Sequence, residues 1–590
     1  MRLKYIGDRS IVIKDSGFDR RIHPGEEFDT YNEHLVKFGY FVDVNNVRAD
    51  TKLGYRSKKN KDFDIKSLVK KKFNPFVGMS KLDRLSNCKI SICIVTKDSD
   101  GVIQRCVDSV LKYVKYDDYE ILLCDTGTTN RTVLSYYKSL KNNDNVRLFR
   151  GHKYNFSKNN NFLSRKSNGD VLLFLNNDVF LTYDAVSSMA DYNNCSNMGC
   201  VGHRLVFDSN HRLIQHDGQV LYDNNGKWSQ LGHHNIMHTL DMVPNKNSYV
   251  EGVTAACLMI DKSIFNEVNG FNEKYVDILQ DVDLNLKVGA LGYDNYCIRE
   301  KELIHIDHSS RKGDETLESK KDLDLYLRDW ISKGKYNHVK TYKKYSILIA
   351  GTNKKDLEKV KSSIKSTIEY SFIFYNNKGN FSYSSKMLNL LSNISVSKYQ
   401  FLTHQDIEFK DNEPFLQLEK CIDKLPNRNF GVLGIAGVKI INGQITGYNY
   451  FEHRYPQWNF PVDTVDEFVM IIDKDKGLTF DESFVGFHFY GADICLSSIN
   501  KGYPCFCVNM NIFHHSGGSS NLTYNNNQGW GEFKKLGFQL YEKYNKTNPN
   551  FSTTTTLFNK ISNKKGKINF FIGAHIDEIP NSDVIEDVDL

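Results

Sequence analysis

The chain has 590 residues, 40% of them hydrophobic and 25% charged, with a formal net charge of +6. That length is more than one hydrophobic core can organise, and a 13% aromatic share excludes long disorder. The mild positive balance tolerates an anionic ligand such as a nucleoside diphosphate and does not require nucleic acid.

In chain order, residues 1–50 read as a small β-rich unit, with strand-like Ser10-Ile11-Val12-Ile13 and a turn at Pro24-Gly25. Residues 51–86 form a basic linker holding Lys58, Lys59, Lys61, Lys66, Lys70, Lys71, Lys72 and Lys81. Such a run is a solvated segment or a contact to an anionic polymer or membrane surface.

From Lys89 the pattern becomes strand–helix alternation. Ile90–Val95 is a β-branched run, Asp100 is placed to cap the next helix, and Ile103, Val107, Val110, Leu111 and Val114 share one helical face. Strands follow at Tyr119–Cys124, Val146–Phe149 and Val171–Leu175. Strands separated by helices imply a mainly parallel sheet covered on both faces, which binds ligands at the carboxyl ends of its strands. The connector Asp322–Lys344 reads as a helix with charged residues. A shorter second cycle then begins, with strands at Ser346–Ala350, Phe372–Tyr375 and Tyr399–Leu402 around a helix at Asp356–Ile368. The expected domains are therefore 87–320 and 345–555, joined by 321–344 and followed by a tail, 556–590, that is acidic after Ala574.

Polar residues stand just after the apolar strands: Thr96-Lys97-Asp98, Asp125-Thr126-Gly127, and Asn176-Asn177-Asp178. Farther on come Gln280-Asp281-Val282-Asp283 and His305-Ile306-Asp307-His308. Singly, each has a structural explanation as turn, helix cap or satisfied histidine. Together they place acids on one edge of a parallel sheet, with an acid–x–acid pair opening a helix beyond it. Hard oxygen ligands of this kind hold a divalent cation against a diphosphate, while a separate carboxylate takes a proton from an attacking hydroxyl. Asp281 and Asp283 are two apart on a helix and cannot face one target, so one is the base and the other a structural partner.

The run Lys89–Arg311 resembles the inverting GT-A glycosyltransferases of family 2, in particular the branch that builds bacterial surface polysaccharides. The resemblance rests on Ser91-Ile92-Cys93-Ile94-Val95-Thr96, Asn155-Phe156-Ser157, Leu175-Asn176-Asn177-Asp178, Ile214-Gln215-His216-Asp217-Gly218, Val253-Thr254-Ala255-Ala256-Cys257 and Asp281-Val282-Asp283-Leu284. It implies that Thr96, Asp98 and Asp125 contact the nucleobase and ribose of a UDP- or dTDP-sugar, with Asn155, Asn176 and Asn177 lining the same donor site. It also implies that Asp178 binds Mn²⁺ or Mg²⁺, that His305 is a further ligand in competition with His308, and that Asp281 is the base. Only one carboxylate remains at the DxD position.

The second cycle resembles the same fold less closely. Thr403-His404-Gln405-Asp406 stands where Asn-Asn-Asp stands in the first, Asp463 and Asp466-Glu467 precede a strand, and Phe513-His514-His515 matches the terminal histidine motif. Asp406 and His514 are the expected metal ligands. Gly491 occupies the position of Asp281, so the base is missing, Asp493 matches the structural partner, and His488 is the candidate substitute. The reading is a two-module, metal-dependent glycosyltransferase acting on a glycan or other hydroxyl acceptor. Its rivals are a transferase for hydroxylated DNA bases and a second module that binds without catalysing. Gly431, Gly434 and Gly437 are read as close-packing positions, and His233, His234 and His238 as a polar loop.

Twelve Cys without metal-ligand spacing suggest reduced thiols. No signal peptide opens the chain and no apolar run nears the ~20 residues that span a bilayer. A cytoplasmic protein is expected, with any membrane contact peripheral at the inner face.

Overall fold

The computed structural model describes residues 78–83, 88–224, 227–306, 317–331, 343–378, 382–441, 444–448, 459–515, 527–548 and 551–553, with short strands outside those ranges near both ends. Near the amino end, Arg2–Tyr5 pairs antiparallel with Glu27–Asp29 and Phe41–Asp43, and Ile11–Asp15 forms a hairpin with Phe18–Ile22. These strands fall in a unit made of residues 1–67 and 221–232, separate from the unit that holds both sheets described next. The linker cations before Gly78 lie outside the described residues, as do Asp307 and His308.

The first sheet is built from β1 (Ile90–Thr96), β2 (Tyr119–Asp125), β3 (Val146–Phe149), β4 (Val171–Leu175), β5 (Val179–Phe180), β6 (Met198–Phe207), β7 (Cys257–Asp261) and β8 (Asp294–His305). Its order is β3-β2-β1-β4-β7-β6-β8-β5. β3, β2, β1 and β4 are mutually parallel, β7 runs antiparallel between β4 and β6, and β6 is parallel to β8. The central strands are apolar on both faces because helices cover both, and β4 is buried along its whole length. Among these helices is Val102–Tyr113, which buries Ile103, Cys106, Val107 and Val110. It begins at Gly101 without a side-chain cap, so Asp100 does not take the expected role and instead accepts from Gln104.

The second module has β9 (Tyr345–Gly351), β10 (Tyr370–Asn376), β11 (Tyr399–Thr403), β12 (Ile407–Phe409), β13 (Val432–Gly434), β14 (Val469–Asp473), β15 (Cys505–Cys507) and β16 (Ile512–His514), and all but β12 and β16 join one sheet that Phe460–Val462 extends beyond β15. Its order, β10-β9-β11-β14-β13-β15, repeats β2-β1-β4-β7-β6-β8 strand for strand. The polarity repeats as well: β9 is parallel to β10 and β11, β14 is antiparallel to β11 and β13, and β13 is parallel to β15. A short antiparallel pair also recurs in each module, β5 with β8 within the first sheet and β12 with β16 as a two-stranded sheet of its own. A repeat too weak to prove in sequence is explicit in the pairing.

Among the described residues the second copy has no counterpart of β3, and an open edge strand would expose unpaired backbone. The edge is closed by the first module instead. Ser196 N–H donates to the Phe374 carbonyl at 2.8 Å, and Asn376 N–H donates to that of Asn194 at 3.0 Å. Lys386 pairs with Asp191 at 2.7 Å across the same contact. Lys81 is not the solvated cation expected of a linker. It is 1% exposed, and its ammonium donates to the carbonyls of Asn193, Cys195 and Met198 just beneath this seam. All twelve Cys are buried, and none is in a disulfide. No helix among the described residues is long and apolar enough to cross a membrane.

Candidate functional site

The first site is assembled where β1, β2, β4 and β8 end, beside the start of the helix α1 (Gln280–Ala290). Asp178 follows β4, and its carbonyl accepts the Ile306 N–H at 3.0 Å, tying it to the end of β8. His305 is thereby set beside it, with Nε2 3.2 Å from Asp178 Oδ1. The other ring nitrogen, Nδ1, is hydrogen-bonded to the side-chain carbonyl of Gln215. An acceptor on Nδ1 fixes the tautomer that leaves Nε2 with a lone pair toward the carboxylate, the arrangement in which a histidine serves as a metal ligand. One carboxylate oxygen and one imidazole nitrogen converging in this way fit Mn²⁺ or Mg²⁺ together with oxygens of a diphosphate.

Asp281 is supplied by the start of α1. Leu279, at φ +66°, turns the chain sharply into α1, so Asp281 falls in the first helical turn. Its Oδ2 accepts the Ala255 N–H at 3.1 Å. The adjoining Ala256 carbonyl accepts the Asn176 N–H at 2.9 Å, so two residues of one loop bridge Asp281 to the Asn-Asn-Asp turn. Asp283 faces away, as the helical spacing requires. It is 4% exposed and held by Trp330 Nε1 at 3.0 Å and Lys287 at 3.0 Å. The charged connector is therefore partly a clamp. Buried Asp322, in the helix Leu317–Tyr326, accepts the N–H groups of Val276, Asp277 and Ile278 in the loop leading to α1.

At the nucleoside end, Asp125 is fully buried at the end of β2. Burial alone would raise its carboxyl, but hydrogen bonds from Thr128 and Arg150 hold it below the ordinary range. Asp98, at φ +42°, is exposed, and backbone N–H groups of Asn130 and Thr129 lower it. Asn177 donates to Ser99 Oγ at 2.7 Å and Thr96 Oγ1 at 3.3 Å, which joins the β4 and β1 turns. Asn155 is farther along the chain and caps a helix by accepting from Lys158 N at 2.8 Å. A buried centre the sequence did not reveal flanks β6: Asp217 pairs with fully buried Arg204 at 2.8 Å and with Arg299 at 3.0 Å. Arginines on two different strands meeting one acid leave no local spacing to read.

The second sheet holds a matching site. His404 N–H donates to the Phe468 carbonyl and the Asp406 carbonyl accepts from His515, so 404, 406, 468 and 515 take the places of 176, 178, 256 and 306. His404, Asp406 and His514 bring ligand atoms within 4.8 Å of one another, with His514 Nε2 3.1 Å from Asp406 Oδ1. His404 is a ligand candidate that sequence reasoning did not assign, because its counterpart in the first copy is Asn176. Gln405 repeats the bridging of Asn177, donating to Thr352 Oγ1 at 2.8 Å. By strand register Asn376 replaces Asp125, and its amide is engaged with the Lys81 carbonyl at 3.0 Å. The two nucleoside ends are thus unlike.

Asp493 holds the position expected of the structural partner, and His488 packs against an aromatic ring. Asp493, in the helix α2 (Tyr490–Asn500), is 1% exposed and held by Tyr544 Oη at 2.8 Å and by Lys543. It has the structural role of Asp283, and its burial under these donors removes it as a base. His488 packs edge-on against Phe533, ring centroids 5.2 Å apart, and its burial lowers its basicity. The carboxylate at the start of α2 is that of Glu467, which accepts the Gly491 N–H at 2.8 Å. Gly434 and Gly437 are close-packing positions as expected, against Val465 and the Thr464 carbonyl.

The first module is thus a mixed sheet with a carboxylate–imidazole pair at one strand edge and a second carboxylate at the start of a neighbouring helix. Residues 91–268 match the family model Glycosyl transferase family 2, so this part of the chain is a family 2 glycosyltransferase domain. The chain is 30% identical over 255 residues to the uncharacterized protein y4gI of Sinorhizobium fredii, covering 41% of this chain and 27% of that one. It is 28% identical over 236 residues to the O-antigen biosynthesis protein RfbC of Myxococcus xanthus, covering 38% and 18%. It thus spans about a quarter or less of the length of these relatives. Among solved structures it is similar to GalNAc-T7 with UDP, GalNAc and Mn²⁺ (17% identity, 41% of this chain and 48% of that one, TM-score 0.33). It is also similar to S. aureus TarS 1–349 with UDP-GlcNAc (12% identity, 38% and 60%, TM-score 0.27).

Proposed function

We propose that the chain is a two-module glycosyltransferase whose first module, within 87–320, transfers a sugar from a UDP- or dTDP-linked donor to a hydroxyl of a surface polysaccharide or related glycan, with inversion. The observation that carries this reading is the opposition of Asp178–His305 and Asp281 across the Ala255–Ala256 loop. A divalent cation held by Asp178 and His305 would neutralise the charge that develops on the diphosphate. Asp281 takes the proton of the acceptor hydroxyl as its oxygen bonds to the anomeric carbon, and the bond to the diphosphate oxygen breaks. One displacement inverts the configuration. Asp283, fixed by Trp330 and Lys287, keeps the helix start in place.

The second module, within 345–555, is read as a second donor site whose unlike nucleoside end serves a different sugar nucleotide. The two assignments are tested together by assaying transfer over a panel of nucleotide sugars, with Mn²⁺ or with chelator. Wild type is compared with Asp178→Ala and Asp406→Ala. Loss of a different donor in each variant supports both modules. If only Asp178→Ala loses activity, the second is demoted to binding, and turnover with no donor sinks the enzymatic reading.

A further inference from the structure

The loop Asp466–Phe468 and the start of α2 repeat the contact between Ala255 and Asp281 with its direction reversed. In the first module an acid on the helix accepts an N–H from the loop, Asp281 from Ala255 at 3.1 Å. In the second an acid on the loop accepts an N–H from the helix, Glu467 from Gly491 at 2.8 Å. Register makes these the same two positions, since Leu279 and Phe489 both enter their helices at positive φ, +66° and +64°, and each stands two residues before the place in question.

We propose that Glu467 is the catalytic base of the second site, supplying from the loop the carboxylate that the helix lost at Gly491. Steric fit supports an exchange within one contact. A Cβ at position 491 would stand 2.6 Å from Glu467 Cγ and 3.3 Å from its Oε1, so a side chain there and the Glu467 carboxylate exclude each other. Glycine is the residue that makes room. The rest of the site is retained, with His404, Asp406 and His514 converging after β11 and β16. His404 N–H is bonded to the carbonyl of Phe468, the residue following Glu467. Glu467 is only partly buried, and desolvation with Asp466 beside it pushes its carboxyl up to about 8, against hydrogen bonds from Gly491 and Phe489. A base of that strength accepts a proton from a hydroxyl more readily than an ordinary carboxylate.

The step balances as in the first module. Glu467 takes the acceptor proton, the acceptor oxygen bonds to the anomeric carbon, the bond to the diphosphate oxygen breaks with its electron pair on the leaving group, and the protonated Glu467 returns its proton to water. This assignment rests on the second module being a donor site, so the test separates the two. In full-length protein carrying Asp281→Asn to silence the first site, calorimetric titration with UDP, dTDP and GDP, each with Mn²⁺, counts binding sites. Asp406→Ala should remove one site; if it removes none, the donor-site reading fails and takes the base with it. With that site present, Glu467→Gln should bind the nucleotide and lower the remaining transfer by about 100-fold or more. Unchanged kcat would overturn the assignment. A double variant, Glu467→Ala with Gly491→Asp, returns the acid to the helix and should recover transfer over Glu467→Ala alone. A purely structural Glu467 predicts no such rescue.

Discussion

Asp178 Oδ1 and His305 Nε2 stand 3.2 Å apart because the backbone of Ile306 is bonded to the Asp178 carbonyl, so the pair is positioned before any ligand arrives. Gln215 completes the arrangement from Nδ1. Asp178→Ala or His305→Ala should abolish the rise in melting temperature that UDP with Mn²⁺ gives at the first site. At a hundredfold excess over Kd that stabilisation is about 2.7 kcal/mol. Gln215→Ala should keep the site but weaken Mn²⁺ by about 10- to 100-fold, read by titration. A wild-type affinity in Gln215→Ala would remove its orienting role.

Asp281 and Asp283 should separate cleanly. Asp281→Asn is expected to lower kcat by about 10²- to 10⁴-fold while UDP binding persists. Asp283→Ala leaves Lys287 buried without its carboxylate and should cost about 3 kcal/mol, read as a lower urea midpoint. If Asp283→Ala proves as stable as wild type yet inactive, the two roles are reversed.

The buried triad of Arg204, Asp217 and Arg299 predicts a stability effect of its own. Asp217→Ala would leave two guanidinium groups facing each other without the acid between them. A loss of about 3 kcal/mol or more in chemical denaturation is expected. Arg212→Ala, removing an exposed pair with Asp241, should leave the denaturation midpoint close to that of wild type and serves as the comparison.

Glu467 predicts a pH dependence in metal-free protein. Its folded-state value is raised to about 8, so the folded chain holds more protons than the unfolded chain between the ordinary carboxyl range and pH 8. Its contribution is therefore most favourable at low pH and is lost as pH rises through 8. Asp466 adds to the rise, while the Gly491 and Phe489 N–H groups oppose it. Glu467→Gln cannot titrate, so its melting temperature should gain on wild type between pH 5 and pH 9, on the order of a few degrees. A constant difference across that range would mean an ordinary carboxyl.

Hydrophobic runs and strand–helix alternation made the first sheet legible from β1 to β4, because each fully covered strand is apolar throughout. Asp178, His305 and Asp281 were legible as candidates for a related reason: catalytic groups follow the strands that position them. Gln215 and His404 stood in quoted motifs, yet neither declares a role until its partner is known. His488 showed the limit most plainly, since sequence order offered it as a substitute base while packing put its ring against Phe533.

What the sequence by itself determined was the alternation of elements and the residue types at their ends, since both follow from periodicity and local turn chemistry. Only the tertiary structure decided that the second sheet repeats the first in order and polarity, that its open edge is closed by residues 194–196, and that the acid lost at Gly491 reappears at Glu467. Strand pairing and register join residues far apart in the chain, and a carboxylate can reach one point in space from either of two backbones.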